Sequence, residues 1–171
     1  MKKVIAVLAL VLAAGAALFF LNRPPATFDP AELTPAETAN PYPGEVYLLC
    51  QTVSSPNSLT LWFLNHTDQT FYHGDPPDRM SLQVLLDDLW YNVPHREYST
   101  AGEGTVTGPG EKFIFEPILS PYGDLPDGQY RIAFGYWEYD PQSDAPISRQ
   151  PYYQSCAEFR IEDGRYAMPA E

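Results

Sequence analysis

Apolar residues follow two regimes along this chain. Val4–Leu21 is an unbroken run of 18 residues without a charge, whereas beyond Gly44 apolar side chains recur in short runs cut by turn residues. A period of two puts successive side chains on opposite faces of a strand. That pattern predicts strands at Glu45–Val53, Ser58–Asn65, Gln69–His73, Met80–Leu86, Trp90–Val93, Lys112–Pro117, Gln129–Tyr139 and Ser155–Glu162. Leu59, Leu61 and Phe63 share one face, as do Phe113 and Phe115. Tyr130, Ile132, Phe134 and Tyr136 line one side of the longest run, and Ala157, Phe159 and Ile161 one side of the last. These residues are the candidate core. Gly102–Gly110 reads as a loop. Short strands, frequent prolines and no amphipathic helix point to an all-β fold. The expected form is an antiparallel β-sandwich of about seven to eight strands with Greek-key connections, behind an N-terminal hydrophobic helix.

The first regime bears on location. Lys2 and Lys3 precede the apolar run and Asn22-Arg23-Pro24-Pro25 ends it. Bases before a hydrophobic stretch mark an export signal whose basic end stays in the cytoplasm. Eighteen residues reach the length that spans a bilayer, longer than the ~7–15 of most secretory cores, which favours an uncleaved anchor. Ala14-Gly15-Ala16 offers the alternative, a cleavage site that yields a secreted product. No cysteine lies near it, so a lipoprotein is excluded. Six prolines in residues 24–43 then describe a semi-rigid extended spacer. The expected organisation is a signal anchor or signal peptide over 1–23, a Pro-rich linker over 24–43, a β domain over 44–165 and a tail over 166–171.

Composition sharpens this picture. Residues 1–23 hold three of the 10 Lys+Arg and none of the 22 Asp+Glu, which leaves seven bases against 22 acids outside the membrane, a net charge of −15. Such a surface repels nucleic acid and anionic lipid, and it keeps an extracellular domain soluble. Cys50 and Cys156, in an exported domain, are expected to form a structural disulfide between the first strand and the last. On strict alternation Cys156 shares a face with Glu158 and Arg160, whereas Cys50 shares one with Val46 and Leu48. The bridge is therefore expected at a sheet edge, or beside a bulge near Cys156.

Leu125-Pro126-Asp127-Gly128-Gln129-Tyr130-Arg131-Ile132 is the clearest local signal. Pro-Asp-Gly makes a tight turn with Gly128 supplying positive φ, and a tyrosine two residues on can return its hydroxyl to the turn backbone. That is the tyrosine corner of Greek-key sandwiches. Together with Leu59–Asn65, Leu89-Trp90-Tyr91-Asn92-Val93-Pro94 and Gly110-Glu111-Lys112-Phe113, this order resembles a bacterial immunoglobulin-like (Big-type) domain family over roughly residues 57–162. The resemblance implies an Ig-like sandwich with Trp90, Gly128 and Tyr130 as structural residues. It implies a cell-envelope module that holds, spaces or binds, and no catalyst. Antibody-type domains carry a cysteine two residues after the corner tyrosine, where this chain has Ile132, so an antibody-like inter-sheet bridge is not implied.

Candidate chemistry is sparse. His66-Thr67-Asp68 and His73-Gly74-Asp75 pair an imidazole with a carboxylate, and the acids Asp75/Asp78, Asp124/Asp127 and Asp140/Asp144 offer hard oxygens. All sit among turn residues, so turn chemistry accounts for them and neither a metal nor a cofactor is expected. Nucleophile elbows, phosphate loops and dinucleotide fingerprints are absent, and the chain is not expected to be an enzyme. The last third is rich in rings. Trp137, Tyr139, Tyr152 and Tyr153 are the candidate ligand-binding residues, since exposed rings beside carboxylates stack on sugars or anchor a protein. The expected function is non-catalytic contact with an envelope protein or polysaccharide, alongside membrane attachment through the N-terminal helix. The alternatives are a carbohydrate-binding module, or an exported enzyme or inhibitor.

Overall fold

Every alternating run in the sequence forms a strand. The computed structural model describes residues 28–55, 58–74, 80–96, 104–143, 145–146 and 153–168, so the N-terminal apolar segment and Tyr152 lie outside the described residues. Among the described residues no helix is long and apolar enough to cross a membrane. In chain order the strands are β1 (Thr34–Pro35), β2 (Val46–Ser55), β3 (Ser58–Asn65), β4 (Phe71–His73), β5 (Met80–Leu86) and β6 (Leu89–Asn92). They continue with β7 (Thr105–Thr107), β8 (Lys112–Phe115), β9 (Gly128–Asp140), β10 (Ala145–Pro146), β11 (Tyr153–Glu162) and β12 (Arg165–Ala167). The protein is all-β, and its strands pair antiparallel.

Two sheets result. Nine strands join around β9 in the order β1-β6-β5-β9-β11-β12, with β10 on the far end of β9, β4 beside it and β7 beyond β4; the other sheet is β2-β3-β8. Length explains the central place of β9. Its first half pairs with β5 (Val84↔Tyr130 to Met80↔Phe134) and its second with β4 (Tyr72↔Trp137, Phe71↔Glu138). Both sheets contribute to one core, in which Leu59, Leu61 and Phe63 of β3 meet Tyr130, Ile132, Phe134 and Tyr136 of β9. Phe134 is packed between Phe63 (5.5 Å between ring centres) and Phe115 (4.8 Å). Edge-to-face and offset ring pairs of this kind add to the burial term.

Turn chemistry sets the hairpins. Asp87-Asp88 (φ 48° and 64°) joins β5 to β6, and Asp163-Gly164 (φ 51° and 68°) joins β11 to β12. Two positive φ values give the mirror-image turn whose twist matches the flanking strands. The Asp127 carboxylate accepts from the backbone N–H of Asp163 (2.9 Å) and Gly164 (3.0 Å), which ties this hairpin to the turn before β9. Gly128 does not have the expected positive φ. It already begins β9, and an added Cβ would meet the Tyr130 ring at 3.5 Å, an ordinary contact. Tyr130 itself is fully buried, and its hydroxyl donates to the Pro126 carbonyl (2.6 Å).

Three expectations are corrected. The proline-rich stretch does not stand clear of the domain over its described part. Thr34–Pro35 pairs with β6, Ala36 N–H donates to the Trp90 carbonyl (2.8 Å), and Gln154 N–H donates to the Ala39 carbonyl (2.8 Å). Phe28, Leu33 and Tyr42 pack on the core, and the Tyr42 hydroxyl donates to Glu138. Prolines made this segment extended, and an extended segment with an apolar side chain every few residues can also lie along a sheet. The glycine-rich stretch contains β7, because Thr-Val-Thr at 105–107 has strand propensity and finds an open edge on β4. The tail begins as β12, which Tyr166 holds to the core.

Cys50 and Cys156 form no disulfide; both thiols are free. The parity of the strands is the reason. Cys156 stands opposite Ala133, between the inward-facing Ser155 and Ala157, and so lies on the outer side of the β9–β11 pair near Arg131 and Glu158. Cys50 packs inward at the core margin, its Sγ 3.6 Å from Met168 Sδ. A bond between them would have to pass through a sheet. The strand irregularity expected near Cys156 occurs instead just after Cys50, where the β2–β3 register shifts between Cys50 and Thr52.

Candidate functional site

Of the four rings singled out in the sequence, Tyr152 lies outside the described residues, and the other three do not assemble on one face. Trp137 and Tyr139 lie together on the outer side of β9, joined by Tyr72 of β4, whose ring stacks on Tyr139 at 6.4 Å. Tyr153 stands opposite Tyr136 on the inner side, 5.7 Å from its ring. Trp137 is only 5% exposed. A ring so covered offers no face to a sugar, so Trp137 does not serve as an open stacking platform. Trp90 is half-buried on the outer side of β6, under the guanidinium of Arg131.

A different surface is exposed. On β2, β3 and β8 the residues not used for the core face outward, and the register brings them into line. Tyr47, Leu64 and Lys112 form one row across the three strands, and Leu49, Trp62 and Ile114 the next. Leu49 is 38% and Ile114 46% exposed, and Trp62 between them is half-buried. Lys112 Nζ sits 4.2 Å from the centre of the Trp62 ring, where the π face attracts it. Exposed carboxylates surround the rows. Glu45 and Glu111 lie at the end near Asn65, and Glu116 at the other end accepts from Ser58 Oγ (3.3 Å). Single exposed apolar residues are ordinary; three in register across one sheet face form a continuous apolar strip, the candidate site. The sequence signal was Leu61–Leu64 and Phe113–Phe115, apolar at every position, where a one-sided strand needs only alternate ones.

Asn65 anchors one end of this sheet. Fully buried at the end of β3, its Nδ2 donates to the carbonyls of Gln69 (2.8 Å) and Gly108 (2.9 Å), and its Oδ1 accepts from Thr67 N–H (3.0 Å). It thereby fixes the β3–β4 and β7–β8 connections together. The histidines take separate places. His66 packs edge-on to Tyr47, and His95 edge-on to Tyr122. His73 is buried among Phe63, Phe113 and Phe134, with Nε2 bonded to Thr107 Oγ1 (2.9 Å). Burial pushes its pKa down to about 4.

Two clefts of about 460 and 470 Å³ flank Tyr166. Asp163 and Arg165 line one, and Ser120 and Asp124 the other; neither is lined by a histidine. Among the described residues no group of three or more His, Cys, Asp or Glu side chains is placed to hold a metal ion. Set beside known proteins, the chain matches no family model, and no curated protein is detectably similar to it.

Proposed function

We propose that this chain is a non-catalytic contact module of the bacterial envelope, an Ig-like β-sandwich held at the membrane by its N-terminal apolar segment. It binds a protein partner through the outer face of β2-β3-β8. The observation that carries this reading is the Leu49–Trp62–Ile114 row, apolar and open across three paired strands. The Tyr130–Pro126 hydrogen bond and the one core shared by two antiparallel sheets support the Ig-like assignment. Branched aliphatic side chains beside a single tryptophan suit a protein surface better than a sugar, which binds flat rings.

Charge selects the partner. Glu45, Glu111 and Glu116 border the rows, the neighbouring Lys112 lies over Trp62, and the whole chain carries −12. A second copy would bring the same acids together, so the partner is a different protein with an apolar centre and a Lys/Arg rim. The test is selection of displayed random peptides on the immobilised full-length protein, with Ile114→Glu as counter-target. Ile114 is exposed, so the variant keeps the wild-type melting temperature. Lys/Arg-rich apolar peptides that bind wild type and not Ile114→Glu support the reading. Peptides that bind both alike, selection of acidic peptides, or salt-insensitive self-association of the wild type would sink it.

A further inference from the structure

The outer side of the nine-stranded sheet holds an oriented cation that forms no ion pair among the described residues. Arg131 lies in β9, opposite Gln83 of β5 on one side and Glu158 of β11 on the other. Its Nε donates to Gln83 Oε1 (2.6 Å), and its Cζ stands 4.3 Å above the centre of the Trp90 ring. Gln83 is 1% exposed and braced in turn by Asn92 Oδ1 (3.3 Å) and Ser81 Oγ (3.4 Å). The guanidinium plane is therefore fixed by a buried amide at one edge and an indole on one face.

What remains is the outer edge. Arginine has five N–H donors in a rigid fork, and one is used by Gln83. Among the described residues the two terminal nitrogens make no hydrogen bond, and Arg131 forms no ion pair. Glu158, the natural cross-strand partner, instead accepts from Gln129 Nε2 (2.9 Å). Arginines in proteins are commonly paired or fully solvated; this one is half-buried and has neither arrangement. Burial disfavours its charge, and the Glu158 carboxylate acts in the opposite sense.

We propose that Arg131, held by Gln83 and stacked on Trp90, is a binding site for a single carboxylate. The two terminal nitrogens lie in one plane and match the two oxygens of a carboxylate bidentately. Trp90 and the Cys156 thiol supply adjacent apolar surface for whatever carries the group. A carboxylate fits better than a phosphate dianion, because Glu158 stands next to the site and the chain carries −12. The carrier is either a small free acid or an acidic group on an extended peptide. This site is on a different face from the Trp62 row, so its failure would leave the contact reading intact.

The experiment is NMR of ¹⁵N-labelled full-length protein in neutral detergent micelles, following Arg131 Nε–H and Trp90 indole N–H. Sodium acetate and a neutral-capped tripeptide with one glutamate are titrated separately, against chloride and phosphate at equal ionic strength. Saturable shifts of both signals by a carboxylate, with a Kd on the order of millimolar, support the site. Arg131→Lys, which keeps the charge and loses the fork, weakens binding by about tenfold, and Glu158→Gln tightens it. Equal binding of acetate and peptide identifies a general carboxylate site, and a preference for the peptide identifies an acidic peptide as the ligand. Absence of saturable shifts, unchanged binding by Arg131→Lys, or tighter binding of phosphate overturns the proposal. If Arg131→Lys fails to fold, the wild-type and Glu158→Gln titrations decide.

Discussion

Replacing His73 by phenylalanine should flatten the acid side of the protein's stability profile. The imidazole has no exposed surface and sits among Phe63, Phe113 and Phe134, with Nε2 on Thr107 Oγ1. Burial lowers its pKa from 6.5 to about 4, and the Gly74 backbone offsets only part of that shift. A group whose folded pKa lies below its unfolded one favours folding while neutral. That contribution is complete above the unfolded value and is lost as pH falls from 6.5 towards 4. A shift of this size corresponds to about 3 kcal/mol, roughly three-quarters of it gone by about pH 4.5. The assay is urea unfolding of wild type and His73→Phe at about pH 7 and pH 4.5. Carboxylates titrate in both proteins and cancel in the comparison, and the lost Thr107 bond lowers the variant equally at both pH values. Wild type should lose about 2–3 kcal/mol more than His73→Phe on acidification. Equal losses, or an NMR titration of His73 near 6.5, would refute the reasoning.

Four further outcomes follow from particular contacts. Asn65→Ala strands the Gln69 and Gly108 carbonyls and should cost about 3 kcal/mol in urea unfolding, against under 1 if those loops are held by other contacts. Tyr130→Phe removes one hydroxyl bond to Pro126 and should cost about 1 kcal/mol, read as a lower melting temperature. At Gly104 the place of a Cβ is filled by the Tyr72 hydroxyl. Gly104→Ala should therefore displace that ring and change the near-UV circular dichroism of the Tyr72–Tyr139 stack. Thiol titration should count two free cysteines in the unfolded protein, and reductant should leave the melting temperature unchanged. A disulfide closing so long a loop would instead make reduction cost about 4–5 kcal/mol.

Much of the fold was legible because its signals are local. Alternation located eight strands, including the inward faces of β3 and β9, since a period of two is a property of the strand alone. The four missed strands are two or three residues long and exist only through their partners. One of them, β12, had a readable sign in Asp163-Gly164, a dipeptide suited to a two-residue hairpin turn. The candidate site was less legible. Attention to ring-rich sequence led to Trp137 and Tyr153, which the structure buries or sends to the other side, while Leu49, Trp62 and Ile114 come from three strands and look unremarkable one at a time.

By itself the sequence determined that this is an acidic, all-β chain with an apolar N-terminal run, and which side chains share a face within each strand. It could not determine which face is covered, or which strands are neighbours. Those are decided by pairing and packing between residues far apart, such as β9 with β5 and β11, or Arg131 with Gln83 and Trp90. The cysteines show the division plainly. Alternation already assigned Cys50 and Cys156 to faces, but only the stacking of the two sheets set those faces apart, with a layer of backbone too costly to breach between the two sulfurs.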